Sequence, residues 1–163
     1  MTSDVELASF SRSLGERLRV KRRKLALAES CTGGWIAKCV TDVTGSSQWF
    51  ERGFVAYSNR AKQDLLGVAA QTLLQFGAVS PQVAAEMVEG ALLRSSADLA
   101  LAVTGIAGPD GGSGDKPVGL VWFAWRIRGR DLKVMEQRFA GDREAVRRRA
   151  VGYALQRLIE ECE

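Results

Sequence analysis

The segment Ala28-Glu29-Ser30-Cys31-Thr32-Gly33-Gly34-Trp35 joins a short apolar run to a stretch with helical periodicity. The run at 25–28 predicts a buried strand, and residues 35–40 predict a helix. The two hydroxyls, the thiol and the Gly pair between them are typical of a tight strand-to-helix turn. Such a turn directs free backbone N–H groups toward the carboxyl edge of a sheet. Ser30 is then a candidate nucleophile. The alternative is a helix start capped by Thr32, without chemistry.

The composition predicts one globular domain over residues 1–163, because 46% of the residues are hydrophobic and 26% are charged. The N-terminus lacks a basic region followed by an apolar run, and no stretch approaches the roughly 18 apolar residues that span a bilayer. Cys31, Cys39 and Cys162 cannot all pair, and their spacing does not fit a zinc site. We therefore expect a cytoplasmic protein that binds neither membrane nor metal.

The chain contains no histidine. This excludes a Ser-His-Asp or Cys-His site built within the chain, and also any His-ligated metal. If Ser30 or Cys31 reacts, its base must be a lysine, a tyrosine, a carboxylate or water. Of the two, Cys31 is better explained as a small neighbour of Ser30, because no basic residue lies beside it in the sequence.

Lys62 is the candidate base. It lies in the first turn of a predicted helix at 60–66, where a cation opposes the helix dipole and gains little from local structure. Desolvation there would lower the pKa of the amine, and a neutral amine can deprotonate a serine. The alternative is an exposed surface lysine. Tyr57, at a strand end, would hydrogen-bond such a pair or simply pack.

The order of elements predicts an α/β fold with three layers, α/β/α, around a mixed, mostly parallel sheet. We predict N-caps at Ser58, Ser80 and Asp142. Predicted helices cover 4–22, 35–43, 60–66, 69–76, 81–94 and the segment after 142. Predicted strands cover 25–28, 50–57 and 98–104, followed by a hairpin of 118–127 and 132–139.

A glycine-rich loop follows the third predicted strand. Residues 104–119 contain six glycines and two prolines, yet no Walker A spacing and no Rossmann fingerprint. The loop is either a flexible crossover or a backbone cradle for an anion, with the Thr104 hydroxyl at its start. Because ligands of open α/β sheets gather at the carboxyl ends of strands, we expect the loop and the Ser30 turn to face one crevice.

Basic residues are concentrated at 17–24 and 143–149, and the net charge is +4. Both clusters lie on predicted amphipathic helices without interleaved aromatics, which favours solvated faces or a small anionic ligand over nucleic acid. Arg143 and Arg147 lie four residues apart on one face near a helix N-terminus. They form a candidate phosphate site or a surface patch.

Four segments together closely resemble the CinA C-terminal domain family: 28–34, 53–62, 77–80 and 104–112. They occur in order and at the family's spacing, over about residues 5–160, and the chain resembles the stand-alone form of the domain. The resemblance implies hydrolysis of nicotinamide mononucleotide to nicotinic acid mononucleotide and ammonia, in pyridine-nucleotide salvage. It implies a Ser–Lys arrangement that needs no metal or organic cofactor.

Under this resemblance Lys62 matches the family lysine, and Ser30 is the favoured nucleophile because it lies on the Gly-Gly turn. Ser47, in the Gly45-Ser46-Ser47 turn, remains a rival. Backbone N–H groups of the Ser30 turn, or of Gly105, would hold the oxyanion. The positions expected to bind substrate are Thr32, Gly33, Gly34, Thr104, Gly105, Gly108, Arg143 and Arg147.

Two other functions remain open at this point. One is a non-catalytic nucleotide-binding or competence- and damage-associated module, which ammonia release from nicotinamide mononucleotide would exclude. The other is a nucleic-acid binder, whose affinity would fall steeply with salt. We also expect a homo-oligomer, because the glycine-rich loop is long enough to complete a neighbour's site.

Overall fold

The computed structural model describes residues 2–163. A short 3-10 turn at Ser46–Gln48 precedes the second strand. Within residues 2–163, no helix combines the length and the apolar character needed to cross a bilayer. The helices are α1 (Asp4–Val20), α2 (Trp35–Thr41), α3 (Asn59–Leu66), α4 (Ala70–Phe76), α5 (Pro81–Leu93) and α6 (Arg143–Glu161). The strands are β1 (Leu25–Glu29), β2 (Phe50–Val55), β3 (Leu99–Gly105), β4 (Leu120–Ile127) and β5 (Lys133–Arg138).

The five strands form one mixed sheet in the order β2-β1-β3-β4-β5. Strand β1 runs parallel to both β2 and β3, whereas β4 is antiparallel to β3 and to β5. Glu29 pairs with Val103, and the Ser30 N–H donates to the Val103 carbonyl at 3.0 Å. The chain therefore leaves β1 and β3 at the same edge, which places Ser30 beside Thr104.

Helices cover both faces of the sheet, which confirms the predicted three layers. Helices α1, α2 and α6 pack on one face, and α3, α4 and α5 pack on the other. Side chains of a strand alternate between faces, and here the alternation separates large residues from small ones. Toward α1, α2 and α6 point Leu25, Leu27, Leu99, Leu101 and Val103. Toward α3, α4 and α5 point Ala26, Ala28, Ala100, Ala102 and Ala124.

The predicted helix starts are confirmed. Ser58, Ser80 and Asp142 each accept a hydrogen bond from the backbone N–H three residues further on. The first helix is shorter than its periodicity predicts, because Arg22 adopts a left-handed φ of 52° that no helix accommodates. The hairpin strands are likewise shorter at their outer ends than the predicted 118–127 and 132–139.

Much of the basic cluster of α6 is engaged within the fold. Arg148 donates to the carboxylates of Asp4 and Glu144, and Arg149 donates to the Ala140 carbonyl. These contacts join α6 to α1 and to the segment before α6. The cluster is therefore less available to a polyanion than its charge count suggests.

The close approach of α3 to α5 gives a stability prediction. A Cβ built on Gly90 would lie 1.9 Å from the Leu66 carbonyl oxygen. Gly90→Ala should therefore lower the free energy of unfolding by about 1–3 kcal/mol despite alanine's better helix propensity, measured by urea denaturation. Gly114→Ala is the control, because nothing lies within 4 Å of its Cβ position. Equal midpoints for both variants would contradict the prediction.

Candidate active site

A buried lysine and a buried serine are in direct contact where β1 ends. Lys62 Nζ lies 2.9 Å from Ser30 Oγ, and it donates to the Tyr57 carbonyl at 2.9 Å. Only 1% of Lys62 and 7% of Ser30 is exposed. The Ser58 cap starts α3 beside the carboxyl edge of the sheet, so the first turn of the helix points Lys62 at that edge. The structure thus brings together the two residues that the sequence nominates separately.

Burial sets the protonation chemistry of this pair. Loss of hydration lowers the pKa of Lys62, since a buried ammonium is poorly solvated. Burial raises the pKa of the Cys31 thiol to about 12, with help from the nearby Glu29 charge. The amine is thereby shifted toward its neutral form, and the thiol remains protonated. This arrangement suits Ser30, rather than Cys31, as the nucleophile.

Glu29 lies beneath the turn and binds its donors. Its carboxylate accepts from the Thr32 hydroxyl at 2.6 Å and from the amides of Gly34, Ile36 and Ala37 at 3.1, 3.1 and 2.8 Å. Burial raises the pKa of Glu29, while these hydrogen bonds act in the opposite direction. Glu29 therefore joins the turn to the first turn of α2.

These contacts decide which turn amides remain for a ligand. The Gly33 amide donates to the Ser30 carbonyl at 3.0 Å, and the Gly34 amide is held by Glu29. Among residues 2–163, the amides of Cys31 and Thr32 have no oxygen acceptor. Of the amides at 32–34 that the sequence suggests as oxyanion donors, the Thr32 amide thus stays free for a ligand, and so does the Cys31 amide.

A cavity of about 260 Å³ opens in front of the pair. The Ser30 turn, the glycine-rich loop and the segment before α5 form its walls, as the shared sheet edge requires. A phosphoryl or carboxamide group entering it would meet backbone amides, hydroxyls, the amine of Lys62 and the guanidinium of Arg143. The lining residues are Ser30, Cys31, Tyr57, Lys62, Ala78, Val79, Thr104, Gly105, Ile106, Ala107, Gly108, Asp110, Gly111 and Arg143.

Arg143 lies at the mouth of this cavity. Its guanidinium donates to the Gly108 carbonyl at 2.9 Å and to the Tyr57 phenol oxygen at 3.0 Å. Tyr57 is 59% exposed, so its ring borders the opening. Deeper inside, the Thr104 hydroxyl donates to the Ala78 carbonyl at 2.8 Å. Arg143 therefore fastens the glycine-rich loop and supplies positive charge where a substrate would enter.

Five of the nominated residues do not line this cavity. Ser47 is exposed in the 3-10 turn before β2, at the amino edge of the sheet. The five residues of β1, at roughly 3.3 Å each, separate that edge from Lys62. Arg147 does not line the cavity; with Thr32, Gly33 and Gly34 it borders a second cavity of about 440 Å³ between α1 and α2.

Sequence reasoning missed two residues of the site. Glu29 belongs to the quoted motif, yet it received no role; an acid that ends an apolar strand just before a helix start is a recognisable helix-dipole partner. Asp110 lines the cavity from the glycine-rich loop. No periodicity or spacing indicates it, because the path of that loop depends on its contacts with α4 and α6.

The chain is similar to several known proteins. The sequence model of the family described as CinA C-terminal domain matches residues 7–162. An Escherichia coli K12 protein named nicotinamide-nucleotide amidohydrolase PncC is 52% identical over 159 residues, which is 98% of this chain and 96% of that protein. A Pseudomonas putida protein of the same name is 50% identical over 154 residues, or 94% and 96% of the two chains.

A solved structure from Agrobacterium tumefaciens has the same fold. It is described as competence/damage inducible protein CihA, and it superposes with a TM-score of 0.93 at 46% identity, covering 95% of this chain and 94% of that one. The α/β architecture derived above is therefore shared along almost the whole length of both chains.

The buried amine gives a second stability prediction. Lys62→Met removes the cost of burying a charge, so its melting temperature at about pH 7 should equal that of the wild type or exceed it by up to about 4 °C. The lowered pKa means that the unfolded state binds more protons, so wild-type stability rises with pH and the difference shrinks toward about pH 10. Calorimetry at several pH values measures both effects.

Lys116→Met is the matched control, because Lys116 also donates to a backbone carbonyl, that of Phe76 at 2.5 Å, but is only half-buried. The Lys116→Met substitution should lower the melting temperature slightly at about pH 7 and at about pH 10. A Lys62→Met variant that is markedly less stable than the wild type at every pH would contradict this account of the buried amine.

Proposed function

The chain belongs to the CinA C-terminal domain family, and we propose that it hydrolyses nicotinamide mononucleotide to nicotinic acid mononucleotide and ammonia, with Ser30 as nucleophile and Lys62 as base. The chain is a nicotinamide-nucleotide amidase by its likeness to relatives of that name. The single observation that carries the Ser–Lys proposal is the 2.9 Å contact between the buried amine and the Ser30 hydroxyl.

The first half of the reaction forms an acyl-enzyme. Neutral Lys62 takes the proton of Ser30 while Oγ attacks the carboxamide carbon. The carbonyl oxygen becomes an oxyanion, and the free amides of Cys31 and Thr32 are available to donate hydrogen bonds to it. The Lys62 ammonium then gives its proton to the departing nitrogen, and ammonia leaves.

The second half returns the enzyme to its starting state. Water attacks the ester carbonyl, with Lys62 again accepting a proton and the same amides holding the oxyanion. The Lys62 ammonium gives that proton to the Ser30 oxygen, which leaves as a hydroxyl, and the pyridine carboxylic acid is released and loses its own proton to water. The Tyr57 carbonyl keeps the amine in place through both halves, because it accepts one of the N–H bonds of Lys62.

Charge at the cavity mouth fits a nucleotide. Arg143 would bind the phosphate, since its guanidinium lies at the opening and is already oriented by Tyr57 and Gly108. Backbone amides of the glycine-rich loop would assist. Action in pyridine-nucleotide salvage, a cytoplasmic location and a homo-oligomeric state belong to the same proposal.

A non-catalytic, competence- or damage-associated module is the second candidate, favoured by the description of the Agrobacterium tumefaciens protein. The release of ammonia from nicotinamide mononucleotide distinguishes the two candidate functions. A purified enzyme should release ammonia from nicotinamide mononucleotide and much less from nicotinamide, which lacks the phosphate. Binding of the nucleotide without ammonia release would favour the module.

Paired serine variants test the nucleophile. Ser30→Ala should lower kcat by about 10³ or more, because it removes the hydroxyl that contacts the amine. Ser47→Ala is the matched control and should stay within about twofold of the wild type, since Ser47 lies at the opposite edge of the sheet. Ammonia release and nicotinic acid mononucleotide formation are measured together. The reverse pattern would transfer the role to Ser47.

The pH profile tests the base. Only the neutral amine accepts a proton, so kcat/KM should rise with pH at a slope of about one and level off above the pKa of Lys62. Burial lowers that pKa, so the plateau should begin below the range of an ordinary lysine. Measurements above about pH 7 avoid the titration of the substrate phosphate. A profile that falls with pH there, or that rises only in the pH range of an ordinary lysine, would contradict the role of a buried Lys62 as the base.

A further inference from the structure

We propose that Arg147 is a positioning residue for the reaction: it holds the Ser30 turn so that the free amide of Thr32 faces the oxyanion. The inference rests on the proposed function and adds a residue that never contacts substrate. It also replaces the sequence expectation that Arg147 binds phosphate.

Arg147 contacts the turn by two hydrogen bonds. Its Nε donates to the Cys31 carbonyl and its Nη2 donates to the Thr32 carbonyl, each at 3.1 Å. The guanidinium carbon also lies 5.4 Å from the ring centre of Trp35, the first residue of α2. One planar side chain from α6 therefore fixes successive carbonyls of the turn and stacks on the residue that follows it.

Fixing a carbonyl also fixes an amide. In a trans peptide the C=O and N–H bonds point in opposite directions, and the Cys31 carbonyl shares its peptide plane with the Thr32 amide. When Arg147 holds that carbonyl toward α6, the Thr32 N–H is turned away from α6. Among residues 2–163 the Thr32 amide has no oxygen acceptor, which leaves it available to a ligand.

Glu29 restrains the Ser30 turn from the side opposite Arg147. The Thr32 hydroxyl donates to its buried carboxylate at 2.6 Å. The turn is thus held between a carboxylate that binds its donors and a guanidinium that binds its acceptors. Neither group lines the cavity in front of Ser30, so both act on the reaction through the backbone.

The same contacts argue against a phosphate-binding role. Arg147 borders the cavity between α1 and α2, on the far side of the turn from Lys62. Arg143, one helical turn earlier, borders the cavity that contains Ser30. Loss of Arg147 should therefore affect kcat, whereas loss of a phosphate ligand should mainly affect KM.

Arg147→Lys is the informative variant, because it keeps the charge and removes the two-pronged contact. It should lower kcat by about 10- to 100-fold, somewhat less than the loss of an entire oxyanion donor, with KM within about threefold of the wild type. Arg148→Lys is the matched control: Arg148 also lies over Trp35, at 5.0 Å, but it donates to the carboxylates of Asp4 and Glu144 rather than to the turn. It should stay within about twofold in both constants.

Two further readouts separate positioning from folding. Guanidinium ion should restore part of the kcat of Arg147→Ala and none of the kcat of Ser30→Ala. A fluorophosphonate should modify Ser30 more slowly in Arg147→Lys than in the wild type; Oγ bonds to phosphorus, fluoride leaves, and the serine proton passes to Lys62. Melting temperatures are recorded for every variant.

Three outcomes would overturn the inference. A raised KM with unchanged kcat would make Arg147 a phosphate ligand. Wild-type kcat with a lowered melting temperature would make it purely structural. Equal loss in Arg147→Lys and Arg148→Lys would assign the effect to Trp35 stacking. If wild-type Ser30 is labelled but no ammonia forms, the proposed function fails and labelling rates still decide the role of Arg147; if Ser30 is not labelled either, both proposals fail.

Discussion

The contact between the buried amine of Lys62 and the hydroxyl of Ser30 is the interaction on which the remainder of the site depends. Water is removed from the amine because α3 presses it against the sheet edge, and that same removal lowers its pKa. The loss of hydration therefore has two effects: it makes the charged amine costly to bury, and it favours the neutral amine that can accept a proton. In the mechanism proposed above, the base of a chain without histidine is a desolvated lysine, and the Tyr57 carbonyl accepts a hydrogen bond that keeps its amine beside Ser30.

Small residues make this contact possible. The face of the sheet toward α5 is lined by alanines, and Gly90 in α5 lets the carbonyl of Leu66 approach within contact distance. Helices α3 and α5 can thus lie close to the sheet, which brings the first turn of α3 to the carboxyl end of β1. Parallel pairing of β1 with β3 adds the glycine-rich loop at the same edge. The packing of the core and the geometry of the candidate site are coupled through these short side chains.

Two arginines of α6 illustrate how far sequence spacing can be trusted. Arg143 and Arg147 are four residues apart and share a helix face, so the sequence treats them as one phosphate site. In the structure the Ser30 turn lies between the two guanidinium groups. Arg143 lies at the mouth of the cavity, and Arg147 contacts the turn from its opposite side. The spacing shows that both side chains leave the helix on the same face. The residues that each one contacts there belong to segments far away in the sequence, which the spacing does not reveal.

The sequence by itself determined the layers, the order of elements, the helix caps and the absence of imidazole, because these depend on local periodicity, turn chemistry and composition. It also nominated Ser30 and Lys62, but it could not choose between Ser30 and Ser47. Only the tertiary structure decided which hydroxyl meets the amine, that Glu29 occupies the amide of Gly34, and how exposed each group is. Those properties arise from contacts between residues distant in sequence, which no local pattern encodes.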